Sequence, residues 1–141
     1  MLVTAESCTG GWVAQAVTSV AGSSDWFERG FVTYSNAAKQ ELLGVKARTL
    51  RKHGAVSEET AREMARGALR RSKGGFAVSV TGVAGPSGGS KAKPVGMVCF
   101  AWTYQDKTKT ETRRFSGDRE SVRRKSVIRA LQGVLEQLAG G

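Results

Sequence analysis

The 141-residue chain suits one domain of roughly 100–150 residues, and a hydrophobic share of 40% supplies a core, which excludes a disordered polar chain. No apolar run approaches the roughly 18–20 residues that cross a bilayer, no secretory leader pattern opens the sequence, the lone His53 argues against a His-rich metal site or a His-based triad, and Cys8 and Cys99 lie too far apart for a CxxC pair, so a reducing, cytoplasmic setting is expected. The formal charge of +10 is uneven, −2 over residues 1–45 and +12 over the remainder, but no stacking aromatics interleave the basic runs, so charge alone points to salt-sensitive attraction of anions and not to specific nucleic-acid binding.

Leu2-Val3-Thr4 reads as the tail of a strand, followed by turn and cap residues at Glu6–Gly11 and by Trp12, Val13, Ala16, Val17 and Val20 at helical spacing. Gly22-Ser23-Ser24 breaks that helix, Asp25–Phe27 is a short turn, and Gly30–Tyr34 is strand-like. Ser35-Asn36 caps a helix through Leu43 that Gly44 ends, and a short helical stretch covers Thr49–His53. Ser57, with Glu58 and Glu59 in the first turn, caps a helix whose apolar stripe is Ala61, Met64, Ala65, Ala68 and Leu69, with Arg62, Arg66 and Arg70 on its solvated face. Phe76–Val80 is a buried-type strand, Gly82–Lys93 a glycine-rich loop, and Val95–Tyr104 and Thr108–Phe115 two strands joined at Gln105-Asp106-Lys107. Ser116-Gly117-Asp118 caps a last helix with Val127, Leu131, Val134, Leu135 and Leu138 facing inward. Helices interleaved with strands predict a single layered α/β domain over residues 1–141 with a mixed sheet.

Three stretches could carry chemistry. Ala5-Glu6-Ser7-Cys8-Thr9-Gly10-Gly11 places hydroxyls between a strand and a helix N-terminus, where free N–H groups favour an anion and Gly10 and Gly11 admit a close ligand. It lacks the Gly-Lys-Ser/Thr ending of a phosphate-binding P-loop and is not Gly-x-Ser-x-Gly. Without a usable histidine, a hydroxyl nucleophile needs another base, and in Tyr34-Ser35-Asn36-Ala37-Ala38-Lys39 a desolvated Lys39 can serve, with Tyr34 relaying a proton. The third stretch runs from Thr81 and Gly82 through Gly85, Pro86, Gly88, Gly89 and Ser90 to Lys91 and Lys93, and its hydroxyls, N–H groups and lysines suit a phosphate. A plain helix cap, a surface lysine and a mobile connection are the bland alternatives for the three. Cys8 could replace Ser7 as nucleophile, although cysteines are often small buried hydrophobes. His53 fits a turn-closing residue better than a catalytic one.

Taken in order, Ala5–Gly11, Gly22-Ser23-Ser24, Tyr34-Ser35-Asn36 with Lys39, His53–Glu58, Thr81–Pro86, Gly88-Gly89-Ser90, Lys93-Pro94-Val95-Gly96 and Gly117-Asp118-Arg119 are together far more specific than any one. The chain thereby resembles the CinA C-terminal domain family, and in particular its stand-alone nicotinamide-nucleotide amidohydrolase members, over nearly its whole length. The resemblance implies a three-layer α/β/α fold and hydrolysis of the carboxamide of nicotinamide mononucleotide to nicotinic acid mononucleotide and ammonia. It places the nucleophile on Ser7, its tyrosine and lysine partners on Tyr34 and Lys39, and a supporting serine on Ser24. Thr9, Gly10 and Gly11, with Thr81, Gly82, Gly85, Gly88, Gly89 and Ser90, are then the candidate substrate-binding residues. It implies no metal or redox cofactor, a homodimer or higher homo-oligomer, and no membrane partner. Family members usually carry a helix ahead of the first motif. This sequence starts six residues before Ser7, and exposed apolar surface favouring self-association is the expected consequence.

Two other readings fit the residues. A non-catalytic module could sense a pyridine nucleotide in the same pocket, and ammonia release separates it from an enzyme. A nucleic-acid-associated protein rests on the charge alone.

Overall fold

The computed structural model describes residues 1–140. Five strands form one mixed sheet in the order β2-β1-β3-β4-β5, with β1 Leu2–Glu6, β2 Phe27–Val32, β3 Phe76–Gly82, β4 Met97–Tyr104 and β5 Lys107–Arg114. β1 runs parallel to both β2 and β3, and the β3-β4 and β4-β5 pairs are antiparallel. The C-terminal ends of β1, β2 and β3 therefore open on the same edge, where α/β sheets bind ligands.

Side-chain alternation splits the core into two layers. Phe76, Val78 and Val80 of β3 and Val98, Phe100 and Trp102 of β4 pack with Val13 and Val17 of α1 (Trp12–Thr18) and Val122, Val127, Ala130 and Val134 of the last helix, Arg119–Ala139. Ala77, Cys99 and Ala101 point the other way, with Val3 and Ala5, onto Leu43 of α2 (Asn36–Leu43) and Ala61, Met64, Ala65 and Ala68 of α4 (Glu58–Arg70), with α3 (Ala47–His53) between these two helices in the chain. The last helix is α5, and the fold is α/β/α in three layers. Small residues on the second face let helices approach closely: a Cβ on Gly67 of α4 would fall 1.8 Å from the Leu43 carbonyl oxygen of α2.

The predicted caps match the chain. The side chains of Ser35, Ser57 and Asp118 accept from the N–H groups of Ala38, Thr60 and Ser121, and Gly44, with φ of 71°, ends α2 in the left-handed conformation. Three expectations fail. α1 ends at Thr18, before Gly22-Ser23-Ser24, so Val20 lies beyond the helix and is exposed. β2 begins at Phe27 and ends at Val32, not at Tyr34, because Phe27 already pairs with Leu2 across the sheet. Leu135 and Leu138 are exposed, at 68% and 65%, because the final turns of α5 reach the far edge of the sheet and only line an apolar groove there with Met1, Leu2, Trp26, Phe76 and Val134.

Candidate active site

The first strand delivers Ser7 to the ligand-binding edge. Its backbone N–H donates to the Val80 carbonyl at 2.9 Å, extending the β1-β3 ladder by one residue and leaving the side chain at the strand's end. The turn that follows is held by Glu6, a carboxylate only 1% exposed. Its Oε1 accepts from the Thr9 hydroxyl at 2.6 Å and from the N–H groups of Gly11 at 3.2 Å and Val13 at 2.8 Å, and its Oε2 accepts from Ala14 N–H at 3.0 Å. A buried carboxylate is tolerable here because donors and the positive end of α1 surround it.

That arrangement corrects the expected use of the α1 N-terminus. The N–H of Gly11 is committed to Glu6 and that of Gly10 to the Ser7 carbonyl at 3.0 Å. The Thr9 side chain faces Glu6 and not the cavity. Among the described residues, the N–H groups of Cys8 and Thr9 bond to no other residue, although both residues are buried.

Lys39 comes from the first turn of α2, which starts just beyond β2 on the same edge. It is 1% exposed, and its Nζ donates to Ser7 Oγ at 3.0 Å and to the Tyr34 carbonyl at 3.2 Å. The Ser7 hydroxyl lies 3.4 Å from the same carbonyl. Burial without a carboxylate partner pushes the Lys39 amine below the ordinary lysine range. The cysteine next door behaves oppositely: burial pushes the Cys8 thiol up to about 12, so little thiolate exists near neutrality. Of the two candidate nucleophiles, the geometry and protonation favour Ser7.

Ser7, Cys8, Tyr34, Asn36, Lys39, Ala55, Val56, Thr81, Gly82, Ala84 and Arg119 line a cavity of about 230 Å³. Tyr34 contributes its carbonyl to the Ser7–Lys39 contact, while the residue as a whole is 62% exposed and its hydroxyl accepts from Arg119 Nη2 at 3.3 Å. The Thr81 hydroxyl donates to the Ala55 carbonyl at 2.8 Å, fixing the α3–α4 turn as a wall. The Lys93 ammonium ties down the same turn through the carbonyls of His53 and Val56. Gly85 takes part through its carbonyl, which accepts from Arg119 Nη1 at 2.7 Å.

Several expected residues stand elsewhere. Ser24 is exposed in the 3-10 turn Ser23–Asp25, before β2 begins, whereas Tyr34 follows the end of that strand. Six residues of strand, roughly 20 Å, separate Ser24 from the cavity edge. It does not join Ser7 and Lys39 within this chain. Gly88, Gly89 and Ser90 are exposed and outside the cavity lining, with the Ser90 hydroxyl accepting from Lys93 N–H at 3.0 Å. Glu6 and Arg119 are the residues of the site to which the sequence assigned no role. Glu6 could have been found as a carboxylate set between a buried strand and a helix start. Arg119 follows directly on the Asp118 cap of α5. Among the described residues, no group of three or more His, Cys, Asp or Glu side chains could hold a metal ion, and no helix is long and apolar enough to cross a membrane.

Comparison with known proteins bears on the same chain. The CinA C-terminal domain model matches residues 1–138. The nicotinamide-nucleotide amidohydrolase PncC of Escherichia coli K12 is 56% identical over 137 residues, covering 96% of this chain and 83% of that protein. The Pseudomonas putida protein of the same name is 56% identical over 135 residues, covering 96% and 84%. Among solved structures, the competence/damage inducible protein CihA from Agrobacterium tumefaciens superposes with a TM-score of 0.95 at 48% identity, covering 96% of this chain and 84% of that one. A CinA superfamily protein from Escherichia coli gives 0.93 at 39% identity, covering 96% and 79%.

Proposed function

Because the chain belongs to the CinA C-terminal domain family, we propose that this hydrolase of carboxamide C–N bonds acts on nicotinamide mononucleotide, releasing ammonia and nicotinic acid mononucleotide through a serine nucleophile. The observation that carries the reading is the 3.0 Å contact between Ser7 Oγ and a Lys39 Nζ that is almost wholly withdrawn from water.

The chemistry follows from that pair. A neutral Lys39 has a lone pair for the Ser7 proton as Oγ attacks the carboxamide carbon. The carbonyl oxygen becomes an oxyanion, which the unengaged N–H groups of Cys8 and Thr9 are free to receive; one such donor is typically worth about 3 kcal/mol in the transition state. The Lys39 ammonium returns the proton to the amide nitrogen, the C–N bond breaks, and ammonia departs. Water, deprotonated by the again-neutral Lys39, attacks the acyl-enzyme, and the carboxylate product leaves with Ser7 restored. The Tyr34 carbonyl holds the amine in line throughout. At the rim, the Arg119 guanidinium supplies a cation for the nucleotide phosphate, and its bonds to Gly85 and Tyr34 keep it beside the cavity.

Purified protein incubated with nicotinamide mononucleotide should release ammonia and the carboxylate nucleotide one for one. Ser7→Ala should lose at least about 10³-fold in kcat while still binding the nucleotide. Wild-type protein that binds the nucleotide without releasing ammonia would replace the enzyme with a sensing module.

A further inference from the structure

We infer that Arg123 of α5 is a positioning residue that aims the oxyanion-binding N–H groups, a role that rests on the serine mechanism proposed above. Its guanidinium reaches back across the fold to the nucleophile turn. Nε donates to the Cys8 carbonyl at 3.1 Å and Nη2 to the Thr9 carbonyl at 3.2 Å. The same guanidinium sits over the Trp12 ring, 5.5 Å from its centroid, which fixes the fork on one face.

The consequence lies in peptide geometry. The Cys8–Thr9 bond is trans, so the Cys8 carbonyl and the Thr9 N–H point in opposite directions from one rigid plane. A cation clamped on the carbonyl side therefore holds the N–H on the other side. The next peptide is tied as well: the Thr9 carbonyl also accepts from Trp12 N–H at 3.0 Å, and Gly10 N–H donates to the Ser7 carbonyl at 3.0 Å. Nothing in the turn can rotate without breaking one of these bonds.

Burial supplies the second line of argument. Thr9 is 0% and Cys8 7% exposed, and a buried N–H lacking an acceptor costs free energy that a folded chain normally avoids. Two such donors side by side, directly after the nucleophile, have the form of a preorganised anion receptor whose acceptor arrives with the substrate. The positive end of α1 does not compete for that anion, because Glu6 already satisfies Gly11, Val13 and Ala14. Arg123 restores positive character to the turn from outside, since it bonds the Cys8 and Thr9 carbonyls and is not among the residues that line the cavity.

Arg123→Gln and Arg123→Lys, assayed beside wild type, test the assignment. Arg123→Gln should lower kcat for ammonia release by about 10–100-fold with KM within about threefold, a fraction of the loss typical for deleting an oxyanion donor. Arg123→Lys, which keeps the charge but not the fork, should recover part of it. Millimolar guanidinium added to Arg123→Ala should restore turnover, and in a Ser7→Ala background Arg123→Gln should leave nucleotide affinity unchanged. The rate at which p-nitrophenyl acetate acylates Ser7 should fall in step, because it passes through the same oxyanion whichever amide is the natural substrate. A fall in ester acylation with no turnover of the mononucleotide by wild type would overturn the substrate and sustain the role of Arg123. Unchanged kcat and acylation in Arg123→Gln would overturn the role of Arg123, as would parallel losses in kcat, affinity and Tm that neither lysine nor guanidinium repairs.

Discussion

At the edge where β1 and β2 finish, Glu6, Ser7, Thr9, Lys39 and Thr81 are buried, while at the edge where β1 and β3 begin, Met1, Trp26, Leu135 and Leu138 face solvent. The first edge spends free energy on desolvation and satisfies nearly every buried group with a bond that also fixes geometry. The second leaves apolar surface around a groove of about 430 Å³ and, among the described residues, holds no comparable network. On the proposed mechanism the first edge carries the chemistry and the second only packing. Substitutions on the two edges should therefore move activity and stability in different, and in one case opposite, directions.

The largest break should come from Lys39. Lys39→Met should cost at least about 10³-fold in kcat, since it removes the base. The same change should raise Tm by about 2–4 °C, because a methionine fills the site without desolvating an amine. The Tyr34 carbonyl keeps the Ser7 hydroxyl as a partner. The pH dependence follows with its sign fixed. The folded-state pKa of Lys39 lies below its ordinary value of 10.5, so between the two the unfolded chain binds more protons and stability rises with pH. Below the lowered pKa the fold carries the whole penalty of a buried charge. Wild-type kcat/KM should climb about tenfold per pH unit up to that same pKa. Thermal melts and rate profiles across pH 6–10 on both proteins check all three statements. A wild-type profile with no acidic limb down to the lowest pH at which the fold survives would remove lysine from the base role.

Glu6 sharpens the comparison from the stability side. Glu6→Gln keeps the shape but presents an amide to four donors, so one oxygen must serve where two did. A loss of about 2–4 kcal/mol in unfolding free energy is expected. A smaller fall in kcat should accompany it, because the turn carrying Ser7 is hung on that carboxylate. Urea melts with parallel kinetics would show whether the two losses share a cause.

How much of this was legible in the sequence differs between the edges. Caps at Ser35, Ser57 and Asp118 could be read because a short polar side chain ahead of a helix acts through its nearest neighbours. The pairing of Ser7 with Lys39 required a long-range fold, and only the order of motifs along the chain pointed to it. A desolvated Lys39 was expected because a hydroxyl nucleophile without a usable histidine needs a base, but its walls were not legible, since what encloses the amine comes from the end of β1, from β3 and from the α3–α4 turn. Tyr34 was expected to act through its phenol, and its carbonyl also meets the amine, a backbone contribution that residue types do not announce. Ser24 was expected at the site from the resemblance alone, and its distance from Ser7 follows from its lying before β2 while Tyr34 lies beyond the strand's other end. On α5, spacing placed Leu135 and Leu138 on the inward face, but periodicity cannot say where the sheet beneath a helix stops.

The smallest effect on catalysis should come from that outer end of α5. Leu135→Gln with Leu138→Gln replaces two side chains that are mostly in water already, so little buried area is lost and Tm should stay within about 2 °C. Turnover should remain within about twofold, because the substitutions lie at the far end of α5 from Arg119 and share no network with it. Association is where the change should show. Exposed apolar groups beside Met1 and Trp26 favour contact between copies, while a net charge of +10 opposes it, so wild-type self-association should grow as salt screens the charge. Sedimentation across a salt series should find that growth in wild type and its loss in the double variant. Salt-insensitive sedimentation identical for both would mean that this edge, for all its exposure, is inert.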